Sequence, residues 1–270
     1  MNINDALTLA SERLADSREA KCFVAVCLNV DAATLWAHPE RSLNQSEHDK
    51  LLAWLARREQ GYPLAYLEGK QSFWTFDLAV TEATLIPRPE TELLVEQVLQ
   101  HLPFDQNTRA LDLGTGSGAI ALAIATERQQ CQVVAADISL DALQVAKDNA
   151  KQLQCHNVSF LQSSWFESVE GQFEVIVSNP PYVETDFDGL DALRFEPQQA
   201  LVSGKDGLDD LRFIVEMAPR YLKPNGVILL EHGCDQGDAV RELLCSAGFV
   251  GVCTHKDLAG LDRVSIGRIK

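Results

Sequence analysis

Ala110-Leu111-Asp112-Leu113-Gly114-Thr115-Gly116-Ser117-Gly118-Ala119 passes from a short apolar strand pattern, through three glycines, into an apolar helical run over 119–127. Glycines at such a strand-to-helix turn reach backbone angles closed to other residues and let N–H groups approach a ligand. Outward from this loop the alternation continues. Strands are expected over 132–136, 158–161, 173–177, 227–230, 249–254 and 263–267, and helices over 140–153, 208–221 and 238–247. Repeated strand-helix-strand units call for a mostly parallel sheet covered by helices on both faces, so the fold class is α/β.

The chain has 270 residues, 46% apolar and 23% charged, which is ample for a real core. Its 39 acidic against 23 basic side chains give a net charge of -16. That field repels a phosphate backbone, and with no basic patch to override it duplex nucleic acid is a poor candidate for direct binding. Seven cysteines stand at 22, 27, 131, 155, 234, 245 and 253 without a Cys-x-x-Cys pair or a histidine partner, so neither a disulfide framework nor a metal site is expected. A reducing, cytoplasmic setting fits. The longest apolar runs, 22–28 and 119–125, are far short of the ~20 residues a membrane span needs, and no secretory signal opens the chain.

Three segments follow from the patterning. Residues 1–62 read as a small helical domain: Leu7, Ala10 and Leu14 recur at helical spacing, as do Ala20, Phe23, Val24 and Cys27, and Ser46 with Asp49 suggests a further helix start ahead of Leu51, Leu52 and Leu55. Residues 63–90 turn aromatic and β-branched, which suggests a hairpin, and end in Leu85-Ile86-Pro87-Arg88-Pro89-Glu90. Prolines on both sides of Arg88 make that loop stiff and lead into a helix near Thr91. Residues 91–270 carry the alternating pattern and the chemistry.

Asp137 closes the second strand of the alternating region, where a carboxylate can accept both hydroxyls of a ribose. With the glycine loop it marks an adenosine site. Gly114, Gly116 and Ala119 also satisfy the looser dinucleotide pattern, so a nicotinamide enzyme is open at this point. The tighter run Asp112-Leu113-Gly114-Thr115-Gly116-Ser117-Gly118 resembles the loop of S-adenosylmethionine-dependent methyltransferases of the seven-stranded α/β class, in which the glycines make room for the methionine part of the donor.

Phe173 to Val177 delivers Ser178-Asn179-Pro180-Pro181-Tyr182 to the carboxyl edge of the sheet, where open α/β sheets bind ligands. Two prolines remove two N–H donors and leave fixed carbonyl acceptors. The Asn179 side-chain oxygen and the Pro180 carbonyl can accept both hydrogens of one planar NH₂ group, and Tyr182 offers a flat face beside it. An amide nitrogen is a poor nucleophile because its lone pair is delocalised. Accepting its two hydrogens draws electron density onto nitrogen and fixes its approach. A dehydrogenase has no use for that pair of acceptors, so the tetrapeptide favours methylation of an amide or an exocyclic amine.

Taken together, 85–92, the Gly114 to Gly118 loop, Asp137 and Asn179-Pro180-Pro181-Tyr182, in this order behind a small helical domain, resemble the bacterial HemK-type release-factor glutamine methyltransferases over nearly the whole chain. The resemblance implies N5-methylation of the glutamine in the Gly-Gly-Gln tip of class I peptide chain release factors, with S-adenosylmethionine as donor, no metal, and a monomeric enzyme whose helical domain helps hold the release factor. It implies that Gly114, Thr115, Gly116, Ser117 and Gly118 line the methionine end of the donor, that Asp137 holds the ribose, that Trp165 packs near the adenine, and that Asn179, Pro180, Pro181 and Tyr182 form the glutamine pocket. Relatives usually carry an acid just before the tryptophan. Here Ser163-Ser164 stand there, so Ser164 or backbone atoms are expected to meet the adenine amine. Arg88 and Glu90 are placed at the pocket wall, with an ion pair on a rigid linker as the alternative. A glutamine methyltransferase acting on a ribosomal protein shares the Asn-Pro-Pro-Tyr element, and an adenine N6-methyltransferase would use the same acceptors. The acidic charge speaks against the latter. His232 is expected to be a satisfied strand-end histidine.

Overall fold

Local capping signals decide where the N-terminal helices begin. In the computed structural model, which describes residues 1–270, Asn2 and Asp5 cap each other's backbone at the start of α1 (Ile3–Leu14), and Asp16 caps α2 (Ser17–Leu28). Asp31 caps α3 (Ala32–Ala37), and Asn44 with Glu47 forms a reciprocal box at α4 (Gln45–Arg58). Each cap satisfies N–H groups that the helix leaves open, worth about 1 kcal/mol apiece. The start expected at Ser46 therefore lies at Asn44, whose side chain has the partner three residues on. α5 (Leu64–Glu68) follows Pro63 and closes on Gly69 in the left-handed region. The hairpin expected from residue 63 is thus a helix first, because Pro63 presets the first turn while Tyr66 and Leu67 are buried. Ile3, Ala6, Ala10, Phe23, Leu51 and Leu55 form the core of this compact unit, Met1–Lys70.

The second unit, Gln71–Lys270, takes in all but the first residue of the hairpin β1 (Lys70–Phe73) and β2 (Phe76–Ala79) at its start. Then come α6 (Thr91–His101), β3 (Thr108–Leu113), α7 (Ala119–Glu127), β4 (Cys131–Asp137), α8 (Leu140–Gln152), β5 (Val158–Gln162) and β6 (Phe173–Ser178). After an irregular stretch follow α9 (Asp209–Met217), β7 (Leu222–Glu231), α10 (Gly237–Ser246), β8 (Val250–Lys256) and β9 (Asp262–Arg268). The helix expected over 208–221 stops at Met217 and continues as a 3₁₀ turn over Ala218–Arg220, since Pro219 has no N–H to donate.

Seven strands form one sheet in the order β5-β4-β3-β6-β7-β9-β8, parallel except that β9 runs antiparallel to both neighbours. Side chains alternate across it. Ala110, Val175, Val177 and Leu229 face a layer that includes Leu94, Val98, Leu122 and the hairpin's Leu78; Leu111, Ile176, Ile228 and Leu230 face Leu211, Ile214, Val240 and Leu244. α7 is buried on every side from Ala119 to Ala125, which accounts for an apolar run too short to span a membrane. No helix is long and apolar enough to cross a bilayer.

The strand register fixes the site. Leu113 pairs with Ala136 on one side and Ser178 on the other, and Ser178 pairs with Leu230. One residue past this row stand Asp137, Gly114, Asn179 and Glu231, side by side on the carboxyl edge of four adjacent strands. The strand order reverses between β3 and β6, where such sheets open a crevice.

Candidate active site

The glycine loop is held from below. The N–H groups of Gly114 and Thr115 both donate to the Ala136 carbonyl, at 2.9 and 3.0 Å. The Thr115 hydroxyl donates to Asp112 Oδ2 at 2.6 Å, and the Asn149 amide on α8 donates to the Ser117 carbonyl at 2.9 Å. Gly114, Gly116 and Gly118 have φ of 74°, 55° and 87°. A Cβ on Gly114 would sit 3.6 Å from the Trp165 ring and one on Gly116 would meet nothing within 4 Å, so the backbone angles, and not protein crowding, demand glycine at these two positions. Asp112 is fully buried, its Oδ1 has no hydrogen-bond partner, and burial lifts its carboxyl to about 7.

Asp137 faces the same cavity. Its Oδ2 accepts the Gly116 N–H at 2.8 Å and its Oδ1 accepts the Ser139 N–H at 2.9 Å. Burial raises this carboxyl above its ordinary value, and those two N–H donors oppose the rise. Gly114, Gly116, Asp137, Trp165, Asn179 and Pro181 all line one cavity of about 210 Å³. Residues distant in sequence, expected to share a site, are therefore together. Thr115 and Ser117 are buried beneath the loop and Gly118 caps α7; none of the three is part of the cavity wall.

A cavity with this lining fits S-adenosylmethionine. An acid at the strand end suits a ribose, Gly114 and Gly116 leave backbone uncovered toward the cavity, and Trp165 gives an apolar ring for a base. Trp165 is not an ordinary core residue: it adopts φ of 49°, lines the cavity, and its indole N–H donates to Asp210 Oδ1 at 3.1 Å. Ser163 is occupied in the turn, donating to the Trp165 carbonyl at 2.8 Å and accepting the Ser168 N–H at 2.9 Å. Ser164 lines the cavity, and so does Asp210, an acid that no spacing in the sequence singles out.

On the acceptor side, Ser178 ties β6 to β3 by donating to the Leu113 carbonyl at 2.7 Å. Asn179 follows, and its Nδ2 donates to Thr91 Oγ1 at 3.3 Å, so that Oδ1 is the end left to accept. Tyr182 donates its hydroxyl to Glu231 Oε1 at 3.3 Å, while its carbonyl accepts Gln236 Nε2 at 3.0 Å. Burial and the adjacent Glu231 push the Tyr182 phenol upward. Gly207, in the insertion, passes so near that a Cβ there would lie 2.2 Å from the Tyr182 carbonyl oxygen. Pro180 and Tyr182 belong to the same fixed segment but do not line the cavity.

Arg88 and Glu90 do not reach the cavity either; Ala83, Thr84 and Leu85 supply its wall from that loop. Arg88 donates to Glu196 Oε1 at 2.5 Å, and Glu196 Oε2 accepts the Ile86 N–H at 3.1 Å. Glu196 is only 4% exposed, so this is a half-buried clamp between the proline loop and the insertion, and not the surface pair the sequence left open. Glu90 is exposed ahead of α6. His232 is fully buried and satisfied, Nδ1 with the Gly233 carbonyl and Nε2 with Ser265 Oγ, both at 2.8 Å.

Comparison with known proteins agrees with this geometry. Residues 104–258 match the family model described as "Methyltransferase domain", and residues 5–69 match the "PrmC N-terminal domain". A release factor glutamine methyltransferase of Xylella fastidiosa (strain 9a5c) is 48% identical over 265 residues, covering 97% of this chain and 96% of its own. Another from Yersinia pestis is 46% identical over 278 residues, covering 99% of each. Among solved structures, a methyltransferase from Pyrococcus furiosus superposes with a TM-score of 0.56 at 19% identity, covering 80% of this chain and 98% of that one, a likeness of fold alone. With identities this high over nearly full length, and with the glycine loop, strand-end acid and Asn-Pro-Pro-Tyr segment converging on one cavity, the chain belongs to the release factor glutamine methyltransferase family.

Proposed function

We propose that the chain transfers a methyl group from S-adenosylmethionine to the side-chain amide nitrogen, N5, of the glutamine in the Gly-Gly-Gln tip of class I peptide chain release factors. The observation that carries this reading is the orientation of Asn179: with Nδ2 donating to Thr91, its Oδ1 is the acceptor left beside the cavity that Gly114 and Asp137 also line. Asp137 holds the donor's ribose, the backbone at Gly114 and Gly116 faces its methionine end while Thr115, Ser117 and Gly118 shape the turn that presents it, and Trp165 packs on its adenine. When bound, the donor supplies a methyl carbon on a positively charged sulfur.

The protein's own part is positional. Asn179 Oδ1 and the Pro180 carbonyl accept the two amide hydrogens, which orients the nitrogen and raises its electron density, while Pro181 keeps the segment rigid and Tyr182 flanks the planar group. Arg88 acts through Glu196 to hold the loop that walls the cavity. The helical unit helps hold the release factor. The chain works as a cytoplasmic monomer and does not touch nucleic acid directly, consistent with its net charge of -16.

The test is incubation with isotope-labelled donor and, in parallel, a class I release factor, ribosomal proteins and DNA, followed by peptide mass mapping. Label on the glutamine of the Gly-Gly-Gln tip is expected. Label confined to a ribosomal protein or to DNA would overturn the reading.

A further inference from the structure

Glu231 is the last residue of β7 and takes no part in the donor site described above. Because Ser178 pairs with Leu230, it stands next to Asn179 on the sheet edge. It is 1% exposed, and its Oε2 is buried with no hydrogen-bond partner. A carboxyl in that position is costly, which asks for a reason.

The hydrogen bonds around it supply one. Oε1 accepts the Tyr182 hydroxyl at 3.3 Å. The Thr91 hydroxyl, 3% exposed at the start of α6, supports the ionised carboxyl. Thr91 Oγ1 also accepts Asn179 Nδ2 at 3.3 Å. A hydroxyl has one hydrogen to give, and a carboxylate can only accept. With Glu231 ionised, Tyr182 donates to it and Asn179 donates to Thr91. The Thr91 hydroxyl hydrogen, not used in accepting from Asn179, is drawn toward the neighbouring carboxylate without a hydrogen bond joining the two in this structure. Asn179 Oδ1 is then held toward the cavity. Reversing the Asn179 amide would present an NH₂ donor to the substrate's own NH₂.

We propose that Glu231 is a positioning residue for the acceptor amide, fixing the Tyr182 hydroxyl directly and the orientation of the Asn179 side chain through Thr91. This rests on the glutamine-methylating reading given above. Around the carboxyl lie Tyr182 from the segment after β6, Arg263 from β9, and Thr91 and Glu90 at the start of α6. Burial raises Glu231 to about 7, opposed by Thr91, Arg263 and Tyr182. A protonated Glu231 becomes a donor and no longer imposes the direction of the chain.

The experiment compares wild-type enzyme with Glu231→Gln, Thr91→Val and Thr91→Ser on a release factor, measuring kcat, KM, the pH dependence of kcat, donor affinity by calorimetry, and melting temperature. The wild type must first label the release factor, so failure there counts against the function and not against Glu231. Expected are a fall in kcat of about tenfold or more for Glu231→Gln with donor affinity unchanged within about twofold, and loss of the wild-type acid limb near pH 7 in that variant. Thr91→Ser should keep most of kcat and Thr91→Val should lose it. An unchanged kcat in Glu231→Gln, an acid limb that survives it, or equal activity of the two Thr91 variants would each overturn the proposal. Should Glu231→Gln melt early or lose donor binding, the Thr91 pair decides.

Discussion

Asp112 lies under the glycine loop with one oxygen bonded to Thr115 and the other unpartnered, and burial lifts its carboxyl from 3.8 to about 7. The sign of the consequence is the reverse of the usual carboxylate case. Below the unfolded pKa both states hold the proton. Between the two pKa values the unfolded chain releases it and the native state does not, so stability falls as pH rises, and above the folded pKa the loss levels off. At about 1.4 kcal/mol per unit of difference, the contribution changes by roughly 2.5 kcal/mol between pH 5 and 8. Asp112→Asn removes this term while keeping an oxygen for Thr115. Its buried NH₂ adds a penalty, which is the same at both pH values and cancels. Urea denaturation of both proteins without donor, at pH 5 and pH 8, should show the variant gaining on the wild type by that amount at the higher pH. Other titrating groups, Glu231 included, are common to both proteins. A stability difference independent of pH within ~0.5 kcal/mol would refute the placement of this carboxyl as buried and poorly solvated.

Asp137→Ala should weaken donor binding by about ten- to a hundredfold in calorimetry, because the carboxylate is lost from the cavity wall; unchanged affinity would rule out the ribose role. Gly207→Ala places a methyl 2.2 Å from the Tyr182 carbonyl oxygen, so kcat should drop while donor affinity holds, and normal turnover would show that the segment is not tightly seated. Arg88→Ala strips the partner from Glu196, which is 4% exposed, and should cost roughly 1–3 kcal/mol of stability, less than a fully buried pair because Arg88 is itself 35% exposed. Chemical denaturation at neutral pH reads this directly, and a loss below ~0.5 kcal/mol would mean that water or another cation takes over.

The central strands β3, β6 and β7 were legible because their apolar runs are buried on both faces, and the glycine loop and Asp137 because the first β-α turn and second strand end have fixed places in such a sheet. Asn179 to Tyr182 announced themselves by two prolines at a strand end. What escaped was set by contacts across the chain. Thr91 and Asn179 are bonded although 88 residues separate them, and Trp165 and Asp210 although 45 do. Glu231 gains its meaning from the register of β6 against β7, which a strand pattern does not contain. Arg88 was expected at the pocket wall, but it turns to Glu196 in the irregular insertion, where no periodicity points to a contact. Local errors have local causes: Asn44 outcompetes Ser46 because Glu47 stands at the reciprocal position, and Pro63 with Gly69 encloses a short helix inside an otherwise strand-like stretch.

The most direct measurement is the single-turnover rate of methyl transfer to a release factor by Asn179→Ala, with donor and release factor both saturating. Removing the oxygen that accepts the amide hydrogen should slow the step by about a hundredfold or more while the donor still binds. A rate within about twofold of wild type would contradict the claim that Asn179 holds the reacting nitrogen.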